Sequence, residues 1–144
     1  MHVRDVLHRK GSAVVTVPPD LPVTGLLATL AEHNIGAVLV TDDGMHVVGV
    51  ASERDVVRAL AARGVQVLGA PVRDIMSTEL TVASPADTLD RVMVQMTERR
   101  VRHIPVLADD ALVGIVSIGD VVKTRMDELE SERAQLIGYI SSSG

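Results

Sequence analysis

The feature that most constrains this chain is an internal repeat. "VGVASERDVV" at residues 48–57 is answered by "VGIVSIGDVV" at 113–122, so that Ser52 and Asp55 match Ser117 and Asp120, 65 residues on. "TV" at 16–17 returns at 81–82, "IGAVLV" at 35–40 aligns with "VRHIPV" at 101–106, and "VRDVL" at 3–7 returns as "VRDIM" at 72–76. Intervals that drift between 65 and 69 residues place the length differences in loops, where insertions cost least. Self-similarity on this scale means two copies of one supersecondary unit. The first spans residues 1–66 and the second 67–128, joined near "RGVQVLGAP"; a helical extension and tail occupy 129–144.

Each copy reads the same way. In the first, Val23, Leu26, Leu27, Leu30 and Ala31 recur at helical spacing up to about His33. In the second, Leu89, Val92, Met93 and Met96 do so, introduced by "SPAD" with Ser84 as N-cap and Pro85 at the first helical position. Two short apolar runs follow, turning at Asp42, Asp43 and Gly44 in one copy and at Asp109 and Asp110 in the other. A second helix then carries Val56, Val57 and Leu60, or Val121, Val122 and Met126. The order is strand, helix, strand, strand, helix. Units this small bury little alone, so the two sheets are expected to pack together. The last helix runs on with a stripe of Met126, Leu129, Leu136 and Ile140 between charged flanks. It either caps its own domain or pairs in a homodimer. Ser141–Gly144 reads as a frayed tail.

Composition narrows what such a pair can do. The 144 residues are 47% apolar, which suits a packed chain, yet there is no Trp or Phe and one Tyr. The core must be aliphatic. A formal charge of −5 argues against nucleic-acid binding by phosphate neutralisation, and the lack of aromatics removes stacking platforms for single strands. Without cysteine there is no disulfide, thiolate metal site or cysteine nucleophile. The five His residues lack metal-ligand spacing, so no metal site is expected. No apolar run is long enough for a bilayer and "MHVRDVLHRK" has no signal-peptide core; the expectation is a cytoplasmic protein with no membrane partner. Neither a P-loop nor a G-x-G-x-x-G fingerprint is present. Nothing assembles a nucleophile, base and oxyanion donor, so no catalytic residues and no enzyme are expected.

The paired "VGVASERD" and "VGIVSIGD", "TVPPDLPV" and "TVASPADTL", together with "RHIPVL", resemble the CBS-domain pair, or Bateman module. The resemblance covers essentially the whole chain. It implies an α/β (α+β) fold of two repeats packed as a pseudo-two-fold pair. It implies adenosine-containing ligands (AMP, ADP or ATP, in some members NAD(H) or S-adenosylmethionine) bound between the repeats. It also implies a regulatory, non-catalytic role toward an unknown protein, and a homodimer. Stand-alone pairs of this kind are often labelled as related to IMP dehydrogenase, which carries such a pair as an insert; the barrel and cysteine nucleophile of that enzyme are absent from this sequence.

Carried over by position, Asp55 and Asp120 are the ribose residues, and one ionised carboxylate can accept from both ribose hydroxyls. Ser52 and Ser117 add hydroxyls where free backbone N–H groups at a helix start favour phosphate. Ser-x-x-Asp before a helix is also a capping arrangement, with Asp in the place of Glu, and the two roles are compatible. One cleft would combine Arg102, His103, Ser117 and Asp120, with adenine against Val14, Val15, Ile35, Gly36 and Ala37, and with Lys10 close by. Gly36 and Ala37 would allow close approach of a base, or would simply suit tight packing. The other cleft would combine Ser52, Arg54 and Asp55 with the segment from Thr78 through Thr81 to Val82. Gly119 stands where the first copy has Arg54, so the clefts differ, and the Arg102/His103 cleft is expected to take the more anionic ligand. The competing reading is a structural adaptor with vestigial clefts that acts through its C-terminal helix.

Overall fold

The computed structural model describes residues 1–11 and 13–143. A leading helix, α1 (Val3–Lys10), precedes β1 (Thr16–Val17), α2 (Val23–His33), β2 (Ala37–Thr41), β3 (Val47–Ser52) and α3 (Glu53–Arg63). Short 3-10 turns at Val65–Gly69 and Val72–Asp74 lead to α4 (Leu89–Arg99), β4 (His103–Ala108), β5 (Ala111–Ser117) and α5 (Ile118–Ser143). The fold is a mixed α+β tandem, as the repeat predicts.

In the first half β1 runs parallel to β2, and β2 pairs antiparallel with β3, Ala37 facing Ser52. The second half repeats this with its first strand reduced to one bridge, Ala83 lying parallel to Val106. There β4 and β5 pair antiparallel, His103 facing Ser117. Asp109 and Asp110 turn that hairpin with φ of 51° and 62°, the left-handed pair that a two-residue turn requires and Asp tolerates. Ser84 is not the cap of α4. Its hydroxyl accepts from Ala86 N–H and its own N–H donates to Asp87, closing a turn, and Thr88 caps the helix by accepting from Arg91 N–H. Nor does the chain fray at Ser141: α5 continues to Ser143, with Gly144 outside the described residues.

The sheets do not share one core. One cluster gathers Val17, Val23, Leu26, Leu30, Val38, Val40, Ala51 and Val56; the other gathers Leu89, Val92, Met96, Ile104, Val106, Val116 and Val121. Each core is completed by a segment that crosses over. Val3 and Val6 of α1 sit in the second core, and Val72 from the connection sits in the first. The docking is symmetric: Val3 and Arg4 N–H groups donate to Asp87 and Pro85 carbonyls, while those of Val72 and Arg73 donate to Leu21 and Pro19. Two glycines admit these visitors. A Cβ at Gly49 would stand 2.6 Å from Met76 Sδ, and one at Gly114 would stand 2.6 Å from Leu7 Cδ2. That is why "VG" opens both copies of the motif. Val57, Val122 and Met126, the apolar residues that the second helices carry beside Val56 and Val121, are exposed, while Val56, Val121 and Thr124 turn inward.

Candidate functional site

Both Ser-x-x-Asp sequences form full capping boxes at helix starts. The Asp55 Oδ2 atom accepts from Ser52 N–H at 2.9 Å and from its hydroxyl at 3.0 Å, and Asp55 N–H donates back to Ser52 Oγ at 3.2 Å. The second copy repeats these bonds: Asp120 Oδ2 accepts from Ser117 N–H and hydroxyl, each at 2.9 Å, and Asp120 N–H donates to Ser117 Oγ at 3.2 Å. The capping role foreseen for these residues is therefore real. It engages only Oδ2, so the second carboxylate oxygen of each Asp is not used by the box.

The two starts are not equally furnished. Lys10, at the end of α1, donates from Nζ to Asp120 Oδ2 at 2.6 Å and to the Ile115 carbonyl at 2.8 Å. The crossing of α1 thus delivers a cation to the other repeat. Partial burial pushes the Asp120 carboxyl up, but the Lys10 ammonium and the Ser117 N–H and hydroxyl outweigh it and hold it below the usual range. His103 faces Ser117 across the β4–β5 pair, and the Arg102 carbonyl accepts from Ile118 N–H at 2.8 Å. Loss of surrounding water, then the Lys10 charge, lowers the His103 imidazolium below its ordinary value, against a smaller pull from Asp120. The lowered value favours the neutral ring. Lys10, Arg102, His103, Ser117 and Asp120 are together at one helix start. The hollow behind Asp120, lined by Val6, Arg9, Lys10 and Lys123, measures about 100 Å³, below the size of a small-molecule pocket.

At the first start Glu53 N–H donates to the Gly36 carbonyl, and Ala37 pairs with Ser52. Gly36 and Ala37 therefore stand beside Ser52, as Arg102 and His103 stand beside Ser117. Packing does not require Gly36, since a Cβ there would meet only the Glu53 carboxylate at 3.8 Å. Ile35 and Val15 line the first core at its edge, and Val14 is half-buried next to them. Arg54 is exposed on the first turn of α3.

A larger cleft of about 570 Å³ lies along the segment after the connection, lined by Thr81, Val82, Glu79, Gln95, Arg99 and Val101 among others. Ser77, also in its wall, exchanges both backbone hydrogen bonds with Val50, two residues before Ser52. Thr81 lines the cleft; its neighbour Thr78 is exposed and does not. Glu79 falls within the segment from Thr78 to Val82 that the sequence assigns to this cleft, whereas Gln95 escapes a reading of α4 by its apolar face alone. Gln95 Oε1 is buried with no partner, while its Nε2 donates weakly to the Val82 carbonyl at 3.4 Å.

Asp42, Asp43 and His46 bring three potential metal-ligand atoms within 4.8 Å on the exposed β2–β3 turn. Their own bonding accounts for the cluster: Asp43 accepts from the Met45 and His46 N–H groups and pairs with the His46 ring. Among the described residues no helix is long and apolar enough to cross a membrane.

Duplicate units with a polar helix start at each seam are the architecture of a tandem ligand-binding module. The family model for the CBS domain matches residues 3–62 and again 72–127, so the chain belongs to the CBS-domain proteins and carries a pair of these domains. It is 34% identical over 146 residues to a mitochondrial CBS domain-containing protein of Arabidopsis thaliana, spanning 96% of this chain and 71% of that one. The crystal structure of a CBS-domain containing protein from Agrobacterium tumefaciens superposes with a TM-score of 0.81 at 45% identity, covering 87% of this chain and 99% of that one. The CBS domain pair of protein MJ0100, solved with 5′-methylthioadenosine and S-adenosyl-L-methionine, shares the fold at a TM-score of 0.77 and 22% identity, covering 89% and 98%. CBS-domain pairs are regulatory, ligand-binding modules, and none of these relatives indicates an enzyme family.

Proposed function

We propose that this chain is a non-catalytic sensor of adenosine-containing ligands that works as a homodimer and signals occupancy through its conformation. The observation that carries this reading is the half-used carboxylate of Asp120 amid Lys10, Arg102 and His103. The free oxygen suits ribose hydroxyls, the Lys10 and Arg102 cations suit phosphate, and the His103 ring can donate a hydrogen bond. Val14, Val15, Ile35 and the open space over Gly36 supply an aliphatic slot for adenine in the same reading. The Asp55 cleft, with Ser52, Arg54, Thr78 and Thr81, takes a less anionic ligand, because no ion pair among the described residues brings a cation to Asp55. The two ligands of the MJ0100 pair are adenosine derivatives too, which supports the class; the candidates are AMP, ADP, ATP, NAD(H) and S-adenosylmethionine.

Calorimetric titration of AMP and ATP into the wild type, Asp120→Ala and Asp55→Ala tests the reading. Loss of a charge-assisted ribose contact corresponds to a weakening of about tenfold or more. For ATP the larger loss is expected from Asp120→Ala. Equal losses would remove the asymmetry between the clefts. No thermal stabilisation of the wild type by any of these ligands at millimolar concentration would overturn the sensor, since binding to the native state must raise its stability. That result would favour the adaptor reading, for which the exposed C-terminal helix is the supporting observation.

A further inference from the structure

From Leu129 to Ser142 every residue of α5 is exposed, so half of this 26-residue helix is not buried against its own domain. Helices without such packing are marginal below roughly 12–15 residues, and an apolar stripe along one adds a solvation cost. Val122, Met126, Leu129 and Leu136 carry that stripe, each between 51% and 64% exposed. Their spacing alternates four and three residues, with Arg133 completing the series, which is the heptad spacing of a coiled-coil seam. The helix meets its own domain through Val121 and Thr124, on a different face, so the seam is open to a partner.

The charges beside the seam identify that partner and its direction. We propose that α5 pairs antiparallel with α5 of a second copy, Met126 against the partner's Leu129, and Gly119 against the partner's Leu136. In this register Lys123 lies beside the partner's Glu130, and the two-fold axis makes that pair twice; Arg125, which pairs with Asp90 and Glu128 of its own chain, lies beside the partner's Glu132. Shifting by one heptad to centre the helices on Ser131 sets Glu130 and Glu132 against their own copies. A parallel pairing sets Arg133 against Arg133 within the seam. Like charges so placed oppose both alternatives. The receiving groove already exists: Ile118, Gly119, Val122 and Met126 line an open, mainly apolar trough on α5, with Lys123 and Asp127 at its edges. Gly119 makes its floor low, and a Cβ there would meet nothing nearer than Ser117 Oγ at 3.7 Å.

This deepens the homodimer reading above by giving it a surface, and it explains why the second copy has Gly119 where the first has Arg54. It also joins the surface to the cleft, because Gly119 lies between Ser117 and Asp120 on the capping turn. A partner side chain seated on Gly119 rests against the turn that holds the proposed ribose carboxylate.

Sedimentation equilibrium of the full chain tests the inference, with circular dichroism to follow folding. The wild type is expected to be a dimer at micromolar concentration. Leu129→Glu and Leu136→Glu are expected to give folded monomers, and Gly119→Arg to weaken association at least tenfold by filling the trough. Lys123→Glu or Glu130→Lys alone should weaken it by roughly tenfold, the pair being doubled by symmetry. The two together should restore it to within about threefold. A wild type that stays monomeric overturns both the surface and the homodimer reading. A dimer indifferent to Leu129→Glu and Leu136→Glu overturns the surface alone. A dimer that fails to recover in the Lys123→Glu/Glu130→Lys double variant, or that recovers in Arg125→Glu/Glu130→Arg instead, overturns the antiparallel register.

Discussion

Asp120 shows how one side chain can hold a structural and a functional role at once. Its Oδ2 atom closes the capping box and meets Lys10, while the other oxygen remains outside those bonds. Because its folded carboxyl is held below the ordinary value, it stabilises the fold fully above about pH 4 and loses that contribution as pH falls through the lowered value. The melting temperature of the wild type should therefore drop more between pH 6 and pH 3 than that of Asp120→Asn, which has no such proton to take up; parallel curves would refute the Lys10 link. The capping half of this site was legible because Ser-x-x-Asp is a local pattern whose partners are fixed by helix geometry. The Lys10 contact spans 110 residues, and only its neighbourhood was legible in the chain. Ser84 and Thr88 are both competent caps four residues apart, and the Asp87 carboxylate settles the matter by tying Ser84 into a turn.

At the scale of elements, the repeated Val-Gly at the heart of β3 and β5 marks where a foreign segment lies flat on a strand. The two glycines are not equally constrained. At Gly114 a methyl group would press on the end of the Leu7 side chain, which can rotate away. At Gly49 it would also stand 2.9 Å from the Ser77 carbonyl, part of a backbone pair that cannot move without breaking two hydrogen bonds. Gly49→Ala should accordingly cost about 2–3 kcal/mol and Gly114→Ala about 1 kcal/mol, the range for overpacking a closed site. Urea denaturation of both variants decides the order, and a reversed order would mean that Leu7, not the Ser77 backbone, is the stiffer neighbour. The helices and hairpins were legible from periodicity and turn residues. The depth of Val57 and Val122 was not, since adjacent valines offer two faces and only packing selects one.

For the molecule as a whole, the exchange of α1 and the Val72–Met76 segment binds the halves more closely than their separate cores suggest. Periodicity could not reveal this, because a leading helix has the same pattern whether it docks on its own repeat or on the other. Deleting residues 1–10 removes Val3 and Val6 from the core about β4 and β5, nearly a hundred residues away in sequence. Hydrogen exchange in that variant should quicken first at β4 and β5, with β2 and β3 the slower to follow; the opposite order would contradict the crossing. The same feature bears on how such a chain could arise. A solitary repeat would carry a leading helix it cannot seat and an empty place for one it lacks. Two solitary repeats could satisfy each other only by trading helices, as a domain-swapped pair. A peptide link across residues 64–71 would make that trade permanent, and the crossing of α1 and the Val72 segment has the form such a link would leave.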